Sequence, residues 1–249
     1  MRTTLLPGLI KTANYNLNRQ QSRFRLFETG LTFVKAGDEL KQEPMLAALI
    51  TGSRHPESWH GKAETVDFFD LKGDFEAIFE LGQAGHEFIF RKGEHAAMHP
   101  GQCAEIVRDG RVIGYMGALH PSRAKTMDMP AAVYLAELSL KAVTEGKVSC
   151  FSALSKYPEV RRDLALVVNT SIVAGDVERA IENEVGKLLR RVNTFDVYAG
   201  QGIEEGCKSL AMGLTFQHPS RTLKDYEVNE LVGRIVTRLK QDFNAILRQ

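Results

Sequence analysis

Between residues 208 and 216, large and small side chains alternate without a break: Leu210, Met212, Leu214 and Phe216 on one phase, Ser209, Ala211, Gly213 and Thr215 on the other. Strand side chains point to opposite faces in turn, so this segment folds as a strand with one apolar face and one almost bare one. Residues 162–168 repeat the pattern, setting Leu164, Leu166 and Val168 against Asp163, Ala165 and Val167. Two stretches of helical spacing accompany them, Val173, Val177, Ala180, Ile181 and Val185, then Val228, Leu231, Ile235 and Leu239. Ser171 is the expected cap of the first, and Thr222 with Asp225 the expected capping box of the second. With a further strand over 188–197 and a terminal one over 245–247, the order is βαββαβ, the ferredoxin-like split unit. Two helices cover only one side of such a sheet. The small-residue side is therefore either solvated, as is common in antiparallel sheets, or a docking surface.

The preceding part reads as α+β. Leu5, Leu6, Leu9, Ile10, Ala13 and Leu17 recur at helical spacing, with Pro7 tolerated in a first turn. Residues 25–34 and 44–51 make an antiparallel pair, followed by a loop carrying His55, Pro56, Trp59 and His60. Phe68, Phe69, Leu71, Phe75, Ile78, Phe79 and Leu81 predict a covering helix. Residues 103–107 and 112–119 flank Asp109-Gly110, whose positive φ angles suit a tight hairpin turn. One more strand is expected over 133–140. Asp70, Asp74 and Glu76 could be taken for a carboxylate site, but the expectation is that they complement the positive end of the helix dipole. The polar, glycine-bearing segment 144–147 reads as a linker, so the expected domains are 1–146 and 150–249.

Charge and motifs narrow the function. The net charge of +1 excludes a uniformly basic binder. The longest apolar run, residues 45–50, is far short of the roughly 18 residues of a membrane helix, and the first residues lack a signal-peptide core; a cytoplasmic location is expected. Cys103, Cys150 and Cys207 are odd in number and without C-x-x-C, so no disulfide framework or zinc cage is expected. His95 and His99 have the spacing of a metal-binding helical pair but lack an evident third ligand; no metal site is expected. G-x-S-x-G, the P-loop, G-x-G-x-x-G and H-E-x-x-H are all missing. Basic residues of the second domain gather at element ends: Arg161, Arg162, Arg190, Arg191, Lys208, Arg221 and Lys224 are candidate phosphate contacts. Yet residues 151–249 hold 14 Lys and Arg against 13 Asp and Glu, so the domain as a whole offers little electrostatic pull.

Several strings then share one resemblance. They are Met1-Arg2-Thr3-Thr4-Leu5-Leu6-Pro7-Gly8-Leu9-Ile10, Asn16-Leu17-Asn18-Arg19, Arg25-Leu26-Phe27-Glu28-Thr29-Gly30 and Asp67-Phe68-Phe69-Asp70-Leu71-Lys72-Gly73. His99-Pro100-Gly101, Ile113 to Pro121, Tyr157-Pro158, Arg162-Asp163-Leu164-Ala165 and Arg221-Thr222-Leu223 continue them. In this order, nearly end to end, they resemble the C-terminal region of the bacterial phenylalanyl-tRNA synthetase beta subunit. The resemblance implies an inactive class II synthetase-like antiparallel sheet with helices, followed by a ferredoxin-fold anticodon-binding domain. It also implies a chain that is a piece of a longer subunit, working with an alpha subunit in an assembly of two alpha and two beta chains that charges tRNA with phenylalanine. ATP and magnesium belong to that whole enzyme, and no cofactor is expected in this part.

Active class II sites present an Arg to the ATP α-phosphate and a second Arg to the γ-phosphate. Here Arg25 and Glu28 remain from the first element, in a connection too short to fold over a nucleotide, and residues 114–120 are not followed by a Gly-Arg helix. No catalytic residue is therefore expected, because phosphate neutralisation needs both cations. Arg25 and Glu28 are expected to form a structural or interface pair with each other, and Arg2, Arg25 and Glu28 are the expected subunit-interface residues. Arg161, Arg162, Arg190, Lys208, Arg221 and Lys224 are the expected tRNA contacts. The competing expectations are a structural dimerisation scaffold without RNA contact and a solitary ligase using the degenerate pocket.

Overall fold

The computed structural model describes residues 1–59, 61–148, 150–151 and 153–248; His60 of the predicted loop lies outside them. The chain divides into two compact units, Met1–Cys150 and Phe151–Gln249.

In the first unit the elements are α1 (Leu6–Leu17), β1 (Phe24–Ala36), β2 (Glu39–Thr51), α2 (Phe68–Leu81), β3 (Phe88–Lys92), β4 (Met98–Arg108), β5 (Arg111–Leu119), α3 (Pro121–Thr126), β6 (Val133–Ser139) and α4 (Leu140–Thr144). The strands form one antiparallel sheet in the order β1-β2-β6-β5-β4-β3. Both faces are covered. Ala47 and Leu49 pack with Leu5, Leu6, Leu9, Ile10 and Ala13 of α1, whereas Leu46 and Ile50 pack with Leu71, Phe75 and Phe79 of α2. This explains the unbroken apolar run 45–50, since a strand buried on both sides needs apolar residues on both phases. Asp109 (φ 50°) and Gly110 (φ 73°) make the predicted turn between β4 and β5.

Local chemistry fixes α2. The Asp67 carboxylate accepts from Phe69 N (2.7 Å) and Asp70 N (3.1 Å), and that of Asp70 accepts from Asp67 N (2.7 Å), a reciprocal cap. Of the three acidic residues expected at the dipole, only Asp70 lies in the first turn; Asp74 pairs with Arg25 and Glu76 with Lys72. The segment read as a linker is fastened to this unit, because Lys147 N donates to Gly82 O (2.9 Å) and its ammonium pairs with Glu87. Arg108 holds the same carboxylate, and these two cations pull the Glu87 pKa from 4.5 down to about 2. Strand β3 and helices α3 and α4 were not anticipated; each is seven residues or shorter, too little for a periodic signal.

The second unit holds β7 (Val160–Asn169), α5 (Ala174–Val185), β8 (Leu189–Tyr198), β9 (Cys207–Phe216), α6 (Asp225–Phe243) and β10 (Ile246–Leu247), with sheet order β10-β7-β9-β8. This is the ferredoxin-like arrangement. Leu164, Leu166, Val168, Leu210, Met212, Leu214 and Phe216 form one core with Val177 and Ile181 of α5 and Val228, Leu231, Ile235 and Leu239 of α6. Both predicted caps differ. Asn169 Oδ1 accepts from Ser171 N (3.0 Å) and Oγ (2.6 Å), so Ser171 is consumed in a turn and Val173 precedes the helix. At α6 the Glu227 carboxylate accepts from Lys224 N (2.9 Å), two residues further on than the expected box.

Leu214 is fully buried in the second core. Leu214→Ala should lower unfolding free energy by roughly 2 to 5 kcal/mol, the range for large-to-small core substitutions, as read from denaturant melts.

Candidate functional site on the open sheet face

In unit one the residues expected at an interface separate into two ion pairs. Arg25 and Glu28 are three apart on a continuous strand and so point to opposite faces, which overturns the expectation that they pair with each other. Arg25 Nη1 donates to Asp74 Oδ1 (2.7 Å) on α2. Glu28 pairs instead with Arg2, whose Nε donates to Leu31 O (3.2 Å). Strand β1 runs straight to a turn at Gly37, which takes φ 64°, before β2 begins at Glu39. A short helix, α3, does follow residues 114–120, and it carries Arg123, whose Nε donates to Ala96 O (3.3 Å). His95 and His99 share no helix: His99 lies in β4, and the Nδ1 atoms accept from Ala97 N (3.3 Å) and Gly101 N (2.9 Å). Among the described residues no group of three or more His, Cys, Asp or Glu is arranged to hold a metal ion.

In unit two the six expected contacts scatter. Arg162 has the core-side phase of β7 and its Nη2 donates to Asp225 Oδ1 (2.8 Å) at the start of α6. Arg221 clasps Glu227 with two bonds of 2.7 and 2.6 Å. That clasp, with the Lys224 amide, draws the Glu227 pKa from 4.5 to about 2, and the carboxylate raises that of Arg221. Lys208 Nζ donates to Thr170 O (3.1 Å), and burial lowers its pKa. The Lys224 ammonium sits 5.9 Å from the Tyr226 ring centroid. Arg190 is exposed at a bulge, and only Arg161 stands on the small-residue face.

That face nevertheless has an ordered pattern. Register places Arg161, Thr215 and Arg191 in one row, Asp163, Gly213 and Asn193 in the next, then Ala165, Ala211 and Asp196, then Ile246, Val167, Ser209 and Tyr198. The β8–β9 register slips between Leu189 and Arg191 and between Thr194 and Asp196, leaving Arg190 and Phe195 as extra residues. The second bulge turns Phe195 towards Arg161, whose guanidinium carbon lies 5.7 Å from the ring centroid. Arg248, anchored by its amide to Ala165 O (2.8 Å), brings its guanidinium carbon to 5.8 Å from the Tyr198 ring centroid. Phe195 and Tyr198 remain 51% and 39% exposed. The face is thus a floor of small residues flanked by two arginine–aromatic pairs, a surface suited to stacking flat, unpaired rings.

Phe195, Tyr198 and Arg248 escaped the sequence reading. The one signal for the two rings was the aromatic pair in a strand that also carries Arg190, Arg191, Asn193 and Asp196, and its strict alternation is broken by the bulge. The Arg221–Glu227 clasp carries its own test: a depressed carboxylate stabilises the fold fully above about pH 4.5 and loses that contribution as pH falls towards 2. Carbon-detected titration should find the Glu227 midpoint near 2, and Glu227→Gln should flatten the stability profile over that interval.

Residues 1–140 match the family described as the phenylalanyl tRNA synthetase beta chain CLM domain, and residues 155–248 match the ferredoxin-fold anticodon binding domain. The phenylalanine–tRNA ligase beta subunit of Pseudomonas putida is 50% identical over 249 residues, covering all of this chain and 31% of that protein. Those of Hahella chejuensis (46% over 248 residues, 31% of its length) and Shewanella oneidensis (47% over 251, 32%) are similar in the same way. The chain thus spans about a third of the length of these relatives. Among solved structures, pyrrolysyl-tRNA synthetase from Desulfitobacterium hafniense is 14% identical at a TM-score of 0.43, covering 57% of this chain and 48% of that one, a likeness too loose to carry weight.

Proposed function

The chain belongs to the phenylalanyl-tRNA synthetase beta-chain family, and from that premise we propose that its second domain, residues 150–249, grips the anticodon end of a tRNA on the open sheet face. Residues 1–146 are then a class II synthetase-like domain that holds an alpha subunit and does not itself catalyse. The whole enzyme, two alpha and two beta chains, uses ATP and magnesium to charge tRNA with phenylalanine. On that reading this work takes place in the cytoplasm. No helix among the described residues is long and apolar enough to cross a membrane.

The observation that supports the tRNA reading is the pair of guanidinium–aromatic contacts over a small-residue floor. The anticodon loop offers unstacked bases, and protein recognition of single-stranded RNA relies on aromatic and guanidinium planes. Support for a non-catalytic first domain comes from Arg25, which Asp74 engages, and from β1, whose direct turn into β2 leaves no loop to fold over a triphosphate. Adenylation needs cations poised at the phosphates, and this guanidinium is already spoken for. Support for the alpha-subunit contact comes from the edge strand β1. Phe27 is 77% exposed there, beside a cavity of about 330 Å³ lined by Leu46, Ile50, Leu71, Phe75 and Ile78. Arg2 and Glu28 stand on the other side of the same strand as the polar part of that interface.

Stacking is worth roughly 1 to 3 kcal/mol per base, so Phe195→Ala or Tyr198→Ala should weaken tRNA binding by roughly 5- to 150-fold in a filter-binding titration. Unchanged affinity in both would leave a structural scaffold as the better reading. Phenylalanine-dependent pyrophosphate exchange by the chain alone should stay at background; turnover would reject the non-catalytic assignment. Phe27→Glu should prevent co-purification of the alpha chain while leaving the melting temperature near that of the parent, because the ring is mostly in solvent already.

A further inference from the structure

Gly213 lies in the middle of β9, and its φ is not in the left-handed region, so nothing in the backbone conformation requires glycine there. Glycine inside a strand normally weakens it, and its presence points to something passing close by. That something is Arg161. A Cβ at residue 213 would stand 2.8 Å from Arg161 Nη2, 3.0 Å from Nε and 3.1 Å from Cζ, so the guanidinium plane occupies the space a side chain would take. Arg161 Nε donates to Asp163 Oδ1 (2.8 Å), two residues along the same face, and the group extends across β9 towards Phe195.

We propose that Gly213 and Asp163 are positioning residues that lay the Arg161 guanidinium flat on the sheet, making it a stacking plane for an unpaired nucleobase rather than a contact to phosphate. This rests on the reading that the open face binds tRNA and deepens it, since it names the part of the nucleic acid that this corner takes. A phosphate approaching Arg161 meets the Asp163 carboxylate at the same place, so the local charge is cancelled where a phosphate contact needs it bare. A planar base loses far less from that neutralisation than a phosphate does, because stacking on a guanidinium and an adjacent phenyl ring draws largely on flat surface and short-range attraction. The carboxylate holds the plane, and the missing Cβ lets it lie down.

The test is tRNA binding by the full chain at several salt concentrations, comparing the parent with Arg161→Lys, Arg161→Ala, Asp163→Asn and Gly213→Ala. Arg161→Lys keeps the charge and removes the plane. It should weaken binding on the order of tenfold, much as Arg161→Ala does, and neither should move the log–log salt slope. Gly213→Ala should weaken binding similarly with the slope unchanged. Asp163→Asn, which frees the cation, should steepen the slope by about 0.7, one single-strand phosphate contact. The proposal is overturned if Arg161→Lys binds like the parent while Arg161→Ala flattens the slope by about that amount, or if neither Arg161 variant changes affinity. Because Arg161 and Asp163 are both 58% exposed, their substitution leaves the core intact even if Gly213→Ala misfolds. Failure of the parent chain itself to bind tRNA would remove the open-face reading and this proposal together, whereas parent binding with the wrong pattern among variants removes only the proposal.

Discussion

The second unit depends on an asymmetry that strand geometry imposes. A four-stranded sheet has two faces, and the βαββαβ order supplies two helices, both of which pack on the Leu210–Met212–Leu214–Phe216 side. Hydrophobic burial, at roughly 25 cal/mol per Å² of apolar surface, holds that side dry. Nothing comparable is available to the other side, which stays hydrated, and its chemistry is therefore free to serve contacts instead of stability. The first unit is the control within the same molecule. Its six-stranded sheet has helices on both faces, strand β2, next to the edge, is apolar on both phases over residues 45–50, and exposed apolar surface lies on the edge strand β1 at Phe27, Leu31 and Val34.

Electrostatics point the same way. Basic residues at element ends look from the sequence like a phosphate-binding set, yet carboxylates close by in space take them up: Arg162 by Asp225, Arg221 by Glu227, Arg161 by Asp163. Such exposed pairs contribute little to stability, about 0 to 1 kcal/mol each. Their larger effect is to remove long-range attraction, consistent with a domain of 14 cations and 13 anions. A surface so balanced does not draw in polyanions indiscriminately, so its selectivity has to come from short-range fit.

Much of the fold was legible because it is written in periodicity. The hairpin at Asp109-Gly110, the helix over Phe68–Leu81 and the one-sided strand Cys207–Phe216 each follow from local spacing. Short elements such as Phe88–Lys92 were not, since five residues hold no distinguishable period. The candidate site was legible only in outline. Its bare face could be read from Ala211 and Gly213, but its aromatic flanks depend on a bulge at Phe195, and bulges are set by the register between strands rather than by the composition of one. The ion pairs failed for a related reason: Arg162 and Asp225 are 63 residues apart, and Arg25 reaches an aspartate 49 residues away. A local reading paired Arg25 with Glu28 because they are near in sequence, whereas the alternation of the strand sets them back to back.

The bulge at Phe195 brings the bare face and its charge balance to one place. A regular β8 would continue the alternation that Arg191 and Asn193 begin on the open face, and residue 195 would then share its row with Ala211. The insertion gives that register position to Asp196 and leaves Phe195 outside the ladder, free to lean over the glycine gap in β9 where Arg161 lies. Two departures from an ideal sheet, an extra residue and a missing side chain, each weaken it slightly when taken alone, and the exposed carboxylate–guanidinium pair beside them offsets little of that. They converge on one corner of the open face. Stability does not account for that convergence, because the dry face already supplies it. A surface shaped to receive something flat does.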